Sequence, residues 1–148
     1  MYLLDTDHLG ILQLRDGDLH AKLQSRLARI GRGDVLLSIV SFHEQLNGWQ
    51  AYLRKQRTPE QVVYAYSRLE SLIADYGKWE VASFGLDAEQ TYLSLRKQRV
   101  RIGTMDLRIA AMALVRDYTV LTRNLVDFEQ VPGLKVEDWT VTTPEKPR

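Results

Sequence analysis

The chain has 148 residues, 45% of them hydrophobic and 26% charged, the balance of an ordinary soluble domain long enough to bury a core. It has no cysteine, which excludes disulfides and thiolate metal sites and fits a reducing cytoplasm. Its 20 basic and 19 acidic residues nearly cancel, and an acid at position 5 with no long apolar run argues against a signal peptide or a membrane span.

Residues 1–4 read as a short buried strand that ends in Asp5, Thr6 and Asp7. Leu9, Leu12 and Leu14 suggest a short helix, broken near Asp16-Gly17-Asp18. Leu19, Leu23, Leu27 and Ile30 recur at helical spacing, and the glycines at 31 and 33 stop that helix. Residues 35–40 predict a second buried strand. Ser41 and Glu44 then have the spacing of a capping box, so a helix is expected from Ser41 to about Arg57. Thr58 and Pro59 start another, with Val62, Tyr66, Leu69 and Ile73 as its inward face and Gly77 as its end. Residues 79–83 give a third strand, and Asp87 is expected to cap a helix reaching Gln98.

The most informative stretch follows a basic segment at 96–101. From Leu107 to Val115 the only charged residue is Arg108, so this helix should be buried nearly all round. Yet Asp106 sits in its first turn, behind Gly103 and Thr104. Residues 119–121 give a fourth strand, followed by a loop with Thr122, Arg123, Asn124 and Asp127. Pro132-Gly133 makes a turn, residues 134–136 a last strand, and 142–148 a flexible tail to a single domain over 1–141.

Strands that are apolar on both faces, alternating with helices, predict an α/β fold with a parallel sheet covered by helices. Ligands of such sheets bind outside the carboxyl ends of the strands. Asp5 and Asp7 follow the first strand, Glu44 the second and Asp127 the fourth, and Asp106 opens the helix that feeds the fourth. Five acids therefore fall on one edge.

Clustered carboxylates repel, and a divalent cation relieves them. Mg²⁺ is well suited, with Mn²⁺ as a substitute, because it takes few carboxylates and keeps waters for substrate and nucleophile. The chemistry on offer is phosphoryl transfer to water. With four of the 19 acids neutralised in such a site, the remaining 15 face 20 basic residues, a surface able to hold a polyanion.

Each acid also has an ordinary reading. Glu44 can close its capping box, Asp106 suits a helix N-terminus, Asp7 can cap the helix after it, and Asp127 can sit in a turn with Asn124. Asp5 is harder to explain so, since a strand end in an apolar run is costly for an unpartnered acid. His8 and His43 are expected to pack or hydrogen-bond rather than bind metal. Trp49, Tyr52, Tyr64 and Tyr66, on the two helices between 41 and 76, suit either a protein-binding groove or core packing.

The motifs LLDTD at 3–7, S-x-x-E at 41–44, IGTMDLRIAAMAL at 102–114 and LTRNLVDF at 121–128 together resemble the PIN-domain family, and within it the VapC-type toxins. The resemblance implies a three-layer α/β/α sandwich with a mostly parallel five-stranded sheet. It also implies Mg²⁺-dependent endoribonuclease activity on structured RNA such as tRNA or rRNA, homodimerisation, and inhibition by a small cognate antitoxin. The family's acidic set falls on Asp5, Glu44, Asp106 and Asp127 as catalytic metal ligands, with Thr122 and Asn124 as supporting polar residues. Asp7 stands where many members have Asn, so its part in metal binding or capping is left open.

Three rivals compete with that reading. A haloacid dehalogenase-type phosphatase would use Asp5 as nucleophile, but its later lysine and paired acids have no counterpart here. A non-catalytic RNA- or protein-binding module of the same fold would leave the acids structural. An RNA-processing nuclease would work without an antitoxin.

Overall fold

The structure, a computed structural model, describes residues 1–142. It is built on a five-stranded sheet: β1 (Tyr2–Leu4), β2 (Val35–Ser38), β3 (Val81–Ala82), β4 (Thr119–Leu121) and β5 (Lys135–Glu137), in the order β3-β2-β1-β4-β5. Every pairing is parallel, with Leu3 level with Leu36 on one side and Val120 on the other. The chain winds outward from β1 to β3 and then returns to wind the other way through β4 and β5. The direction therefore reverses between β1 and β4, and a reversal of this kind opens a crevice at the carboxyl ends of those strands.

The sheet is buried on both faces because successive side chains point to opposite sides. Leu3, Leu36 and Val120 face α5 (Leu86–Lys97) and α6 (Thr104–Arg116). Leu4, Val35, Leu37 and Leu121 face α1 (Thr6–Leu14), α2 (Gly17–Ile30) and α4 (Pro59–Tyr76). The third long element of the β2–β3 connection, α3 (Ile39–Arg54), straddles the sheet, with Val40 in the first core and Phe42 against the second. This is the expected three-layer sandwich. The expected tail lies, from residue 143 on, outside the described residues.

Helix α6 bears out the periodicity argument. Leu107, Ile109, Ala110, Ala111, Met112 and Ala113 are all buried, and the three alanines let α5 and β4 approach closely. Asp117, in the left-handed conformation at φ 55°, ends the helix and turns the chain into β4.

Four local expectations are corrected. Ser41 does not cap α3. The strand ends at Ser38, and it is Ser38 Oγ that accepts from Val40 N at 2.9 Å and Ser41 N at 3.4 Å. The apolar pair Ile39-Val40 continues the β2 hydrophobic run into the first helical turn, and that continuity disguised the boundary. Ser41 Oγ is instead buried with no hydrogen-bond partner. Ser38→Ala is accordingly expected to cost about 1–2 kcal/mol of stability, whereas Ser41→Ala should be neutral or slightly stabilising. Denaturant unfolding of the two variants checks this; equal losses would contradict the assignment.

Asp87 is likewise not a cap but lies in the first turn of α5, whose N-cap is Gly85. Its carboxylate still accepts from a first-turn donor, Ala88 N at 2.8 Å. Helix α4 turns a different face inward than expected: Ala65, Leu72 and Tyr76 are buried, while Tyr66 and Ile73 are exposed. Its start is as read, with a complete Thr58–Gln61 capping box behind Pro59. The last strand begins one residue later than expected, at Lys135, and β3 is shorter.

Candidate active site

The crevice between β1 and β4 is lined by acids. Asp5 leaves the end of β1 and serves as N-cap of α1, its Oδ1 accepting from Thr6 N at 2.7 Å. Its own amide donates to Leu121 O at 2.9 Å, so the β1–β4 ladder runs on into the site. Thr122, the first residue beyond β4, is fully buried, and its hydroxyl donates to Asp5 Oδ2 at 2.8 Å. The same hydroxyl lies 3.2 Å from Asp7 Oδ2, so one proton serves two carboxylates. Thr122 Oγ1 in turn accepts from Asn124 N at 3.0 Å.

Asp7, in the first turn of α1, is gripped from three directions. His8 Nδ1 lies 2.8 Å from its Oδ1, Arg123 N donates to Oδ2 at 2.9 Å, and Thr122 adds the third contact. His8 is fully buried, and its Nε2 accepts from Trp139 N at 3.2 Å. Accepting there leaves the imidazole proton on Nδ1, where it is donated to Asp7. Trp139, itself 1% exposed, is fixed by Nε1 donating to Glu137 Oε2 at 2.7 Å and by the Tyr2 ring at 4.8 Å. A backbone amide from beyond β5 thus orients an acid on α1. The expectation that His8 hydrogen-bonds is borne out. His43 is exposed and pairs with Asn47 at 3.2 Å.

Asp127 lies on a single helical turn, α7 (Leu125–Phe128), where Asn124 Nδ2 donates to its Oδ2 at 2.9 Å. Asp106 is held in the first turn of α6 and Glu44 on the second turn of α3. The predicted supporting residues Thr122 and Asn124 therefore each hold a predicted acid.

The electrostatics couple the set. Burial, the nearby Asp7 and, more weakly, Asp106 push the Asp5 carboxyl up to about 7 against the hydrogen bonds from Thr122 and Thr6. Burial and then Glu44, Asp127 and Asp7 push Asp106 up to about 6. Burial also works against ionised Asp7, but the His8 and Arg123 hydrogen bonds outweigh it and hold that carboxyl below its usual range. Burial and the charge of Glu44 raise Tyr76, whose hydroxyl donates to Ser38 O at 3.3 Å. All five acids thus act on one another. Among the described residues no three His, Asp or Glu side chains converge into a closed ligand set. Carboxylates without a counter-ion repel and stand apart.

Sequence reasoning missed the His8–Trp139 link and the Tyr76–Glu44 proximity. The first joins residues 131 apart in the chain, and no local pattern signals it. The buried placement of an acid beside a histidine was the available hint.

No family model matches the chain. A stretch of 60 residues, 38% of this chain and 45% of the relative, is 42% identical to Ribonuclease VapC1 of Rickettsia felis; less than half of that relative is spanned. The chain is 32% identical over 105 residues to the tRNA(fMet)-specific endonuclease VapC of Salmonella typhimurium, covering 71% of this chain and 75% of that protein. In three dimensions it superposes on the DNA-bound VapBC structure from Salmonella typhimurium with a TM-score of 0.69. That match covers 93% of this chain and 97% of the other at 23% identity, a likeness of fold. With one relative 32% identical across three quarters of its length, and the five-stranded sheet shared with VapC structures, this chain belongs to the PIN-domain VapC family of ribonucleases.

Proposed function

We propose that this chain is the toxin ribonuclease of a type II toxin–antitoxin pair, cutting phosphodiester bonds in structured RNA, tRNA or rRNA, with Mg²⁺ in its carboxylate crevice. The observation that carries this reading is the mutual coupling of Asp5, Asp7, Glu44, Asp106 and Asp127 at the β1–β4 reversal, with two of them raised well above the usual carboxylate range. The donor set is all oxygen and not closed on itself, which suits a small hard cation that keeps several of its waters. Mn²⁺ is the natural substitute. Asp5, Glu44, Asp106 and Asp127 would hold the ion. Bound there, it supplies an acidified water and charge neutralisation at the phosphate.

The chain's own groups supply the geometry. Thr122 and the Thr6 amide fix both oxygens of Asp5. Asn124 sets the rotamer of Asp127, and the His8–Asp7–Arg123 contacts tie α1 to the loop after β4. Hydrogen-bonded positioning of this kind keeps carboxylates aimed when the counter-ion leaves with product.

The names of the relatives support the substrate class, since both are ribonucleases and one is specific for a tRNA. Structural neighbours that are VapBC complexes support an antitoxin partner, and a homodimer is the assembly we expect. Among the described residues no helix is long and apolar enough to cross a membrane. That is compatible with cytoplasmic action.

Cleavage of total bacterial RNA by the purified chain, with Mg²⁺ or with chelator, beside Asp106→Asn tests the reading. Discrete fragments that need Mg²⁺ and vanish in the variant are the expected result. Cleavage that survives Asp106→Asn would displace the site, and a chain that binds RNA but never cuts it would make this a binding module.

A further inference from the structure

We propose that the groove between α1, α3 and α4 is a subsite for an unpaired nucleobase and its neighbouring phosphate, on the RNA strand that enters the carboxylate crevice. This rests on the ribonuclease reading and deepens it, by placing recognition of single-stranded RNA on named residues. The groove has a volume of about 540 Å³ and shares Asp7 with the acid cluster, so it is continuous with the crevice. Its size lies in the range, about 300–1,000 Å³, of sites that take small organic groups.

Its walls have the chemistry of a stacking platform. Trp49 of α3 and Tyr64 of α4 meet edge to face, with centroids 5.9 Å apart at 77°. Tyr52 supports Trp49 in the same way at 5.6 Å, and Arg57 lies over the Tyr52 ring at 3.6 Å. An edge-to-face pair leaves at least one face of each ring uncovered by the other. Tyr64 is 53% exposed, and Leu14 of α1 on the opposite wall is 75% exposed, so these surfaces are not core packing. Arg68 of α4 also lines the groove and forms no ion pair or hydrogen bond among the described residues. The one acid in the wall, Asp7, is already engaged by His8 and Arg123 N.

An aromatic pair with open faces beside an uncommitted guanidinium matches a base and a phosphate together. Every base has a π-face, so stacking of this kind selects unpaired strands without reading a sequence. A duplex keeps its bases inside the helix and offers such rings nothing. The phosphate of that nucleotide would meet Arg68, while the next one along lies toward the acids.

The test separates binding from cleavage. In an Asp106→Asn background with chelator, fluorescence anisotropy of a short labelled single-stranded oligoribonucleotide is compared with a duplex of the same length. The parent is expected to favour the single strand. Arg68→Gln and Trp49→Leu should each weaken single-strand binding about tenfold, with Trp49→Phe restoring most of it. Arg68→Gln sits on the surface and guards against misfolding of the tryptophan variant, and unchanged melting temperatures certify both. Unchanged single-strand affinity in folded variants would overturn the proposal, as would a parent that binds duplex equally well. Variants that bind RNA normally yet lose assembly with a protein partner would also overturn it, making this a protein-docking groove. Mg²⁺-dependent cleavage by the wild type that persists beside such a failure would leave the ribonuclease reading standing while removing the subsite.

Discussion

Asp5→Asn is expected to make the metal-free protein more stable at about pH 8 while reducing RNA cleavage on the order of 10²–10³-fold. The two effects come from one cause. Asp5 is 5% exposed, and burial together with Asp7 and Asp106 drives its carboxyl up to about 7. At pH 8 the fold therefore confines a charge that it disfavours. Each unit of such a rise corresponds to about 1.4 kcal/mol, so the conflict amounts to a few kcal/mol. An asparagine removes the charge and keeps the contacts. Its carbonyl can accept from Thr6 N as Asp5 Oδ1 does, and its amide can donate to Thr122 Oγ1 in place of the present bond. The Thr122 proton is then released to Asp7 Oδ2, 3.2 Å away. Thermal melts in chelator and cleavage rates with Mg²⁺ report the two halves. A variant less stable than wild type at pH 8 would mean that the ionised carboxylate is a net support of the fold, and the site would not be the strained anionic cluster described above.

That strain also explains which parts of the molecule could be read from the chain. Acids at strand ends are local features, and a parallel sheet converts them into neighbours by topology alone. Asp5, Glu44, Asp106 and Asp127 were therefore legible as one edge before any coordinates. Helix α6 was legible because its apolar residues run round every face, which only burial tolerates. The cap at Ser38 was not. Residues 35–40 form one apolar run, and periodicity cannot tell the last strand residues from the first buried helical turn. The inward face of α4 was misjudged for a related reason: Tyr66 and Ile73 are apolar, but so are Ala65 and Leu72, and only the position of the sheet decides between the two stripes. The strand order, the switch between β1 and β4, and the reach of Trp139 back to His8 are long-range facts with no local signature.

The apo fold should lose stability as pH rises from about 4 to 7, and Mg²⁺ should restore it increasingly over the same range. Asp5 and Asp106 begin near 3.8 in the unfolded chain and stand at about 7 and about 6 in the fold. Between those values the folded state holds more protons than the unfolded state. Stability from this pair is thus greatest below the unfolded value and declines through the folded ones. Asp7 has the opposite sign. Its carboxyl is lowered by His8 and Arg123, so its contribution is present above about 3.8 and is lost only as pH falls further. The window between about pH 4 and 7 therefore belongs to Asp5 and Asp106. A divalent cation binds the ionised forms, so it must displace the protons these two groups carry. The Mg²⁺-induced rise in melting temperature should accordingly be small near pH 5 and large near pH 8. Binding near pH 6.5 should release protons, visible by calorimetry as an enthalpy that depends on the ionisation heat of the buffer. Asp106→Asn should cut that release, since one of the two titrating carboxyls is gone. A Mg²⁺ effect that is flat across pH, with no proton release, would mean that the ion binds elsewhere and that the raised carboxyls of Asp5 and Asp106 are relieved by protonation instead.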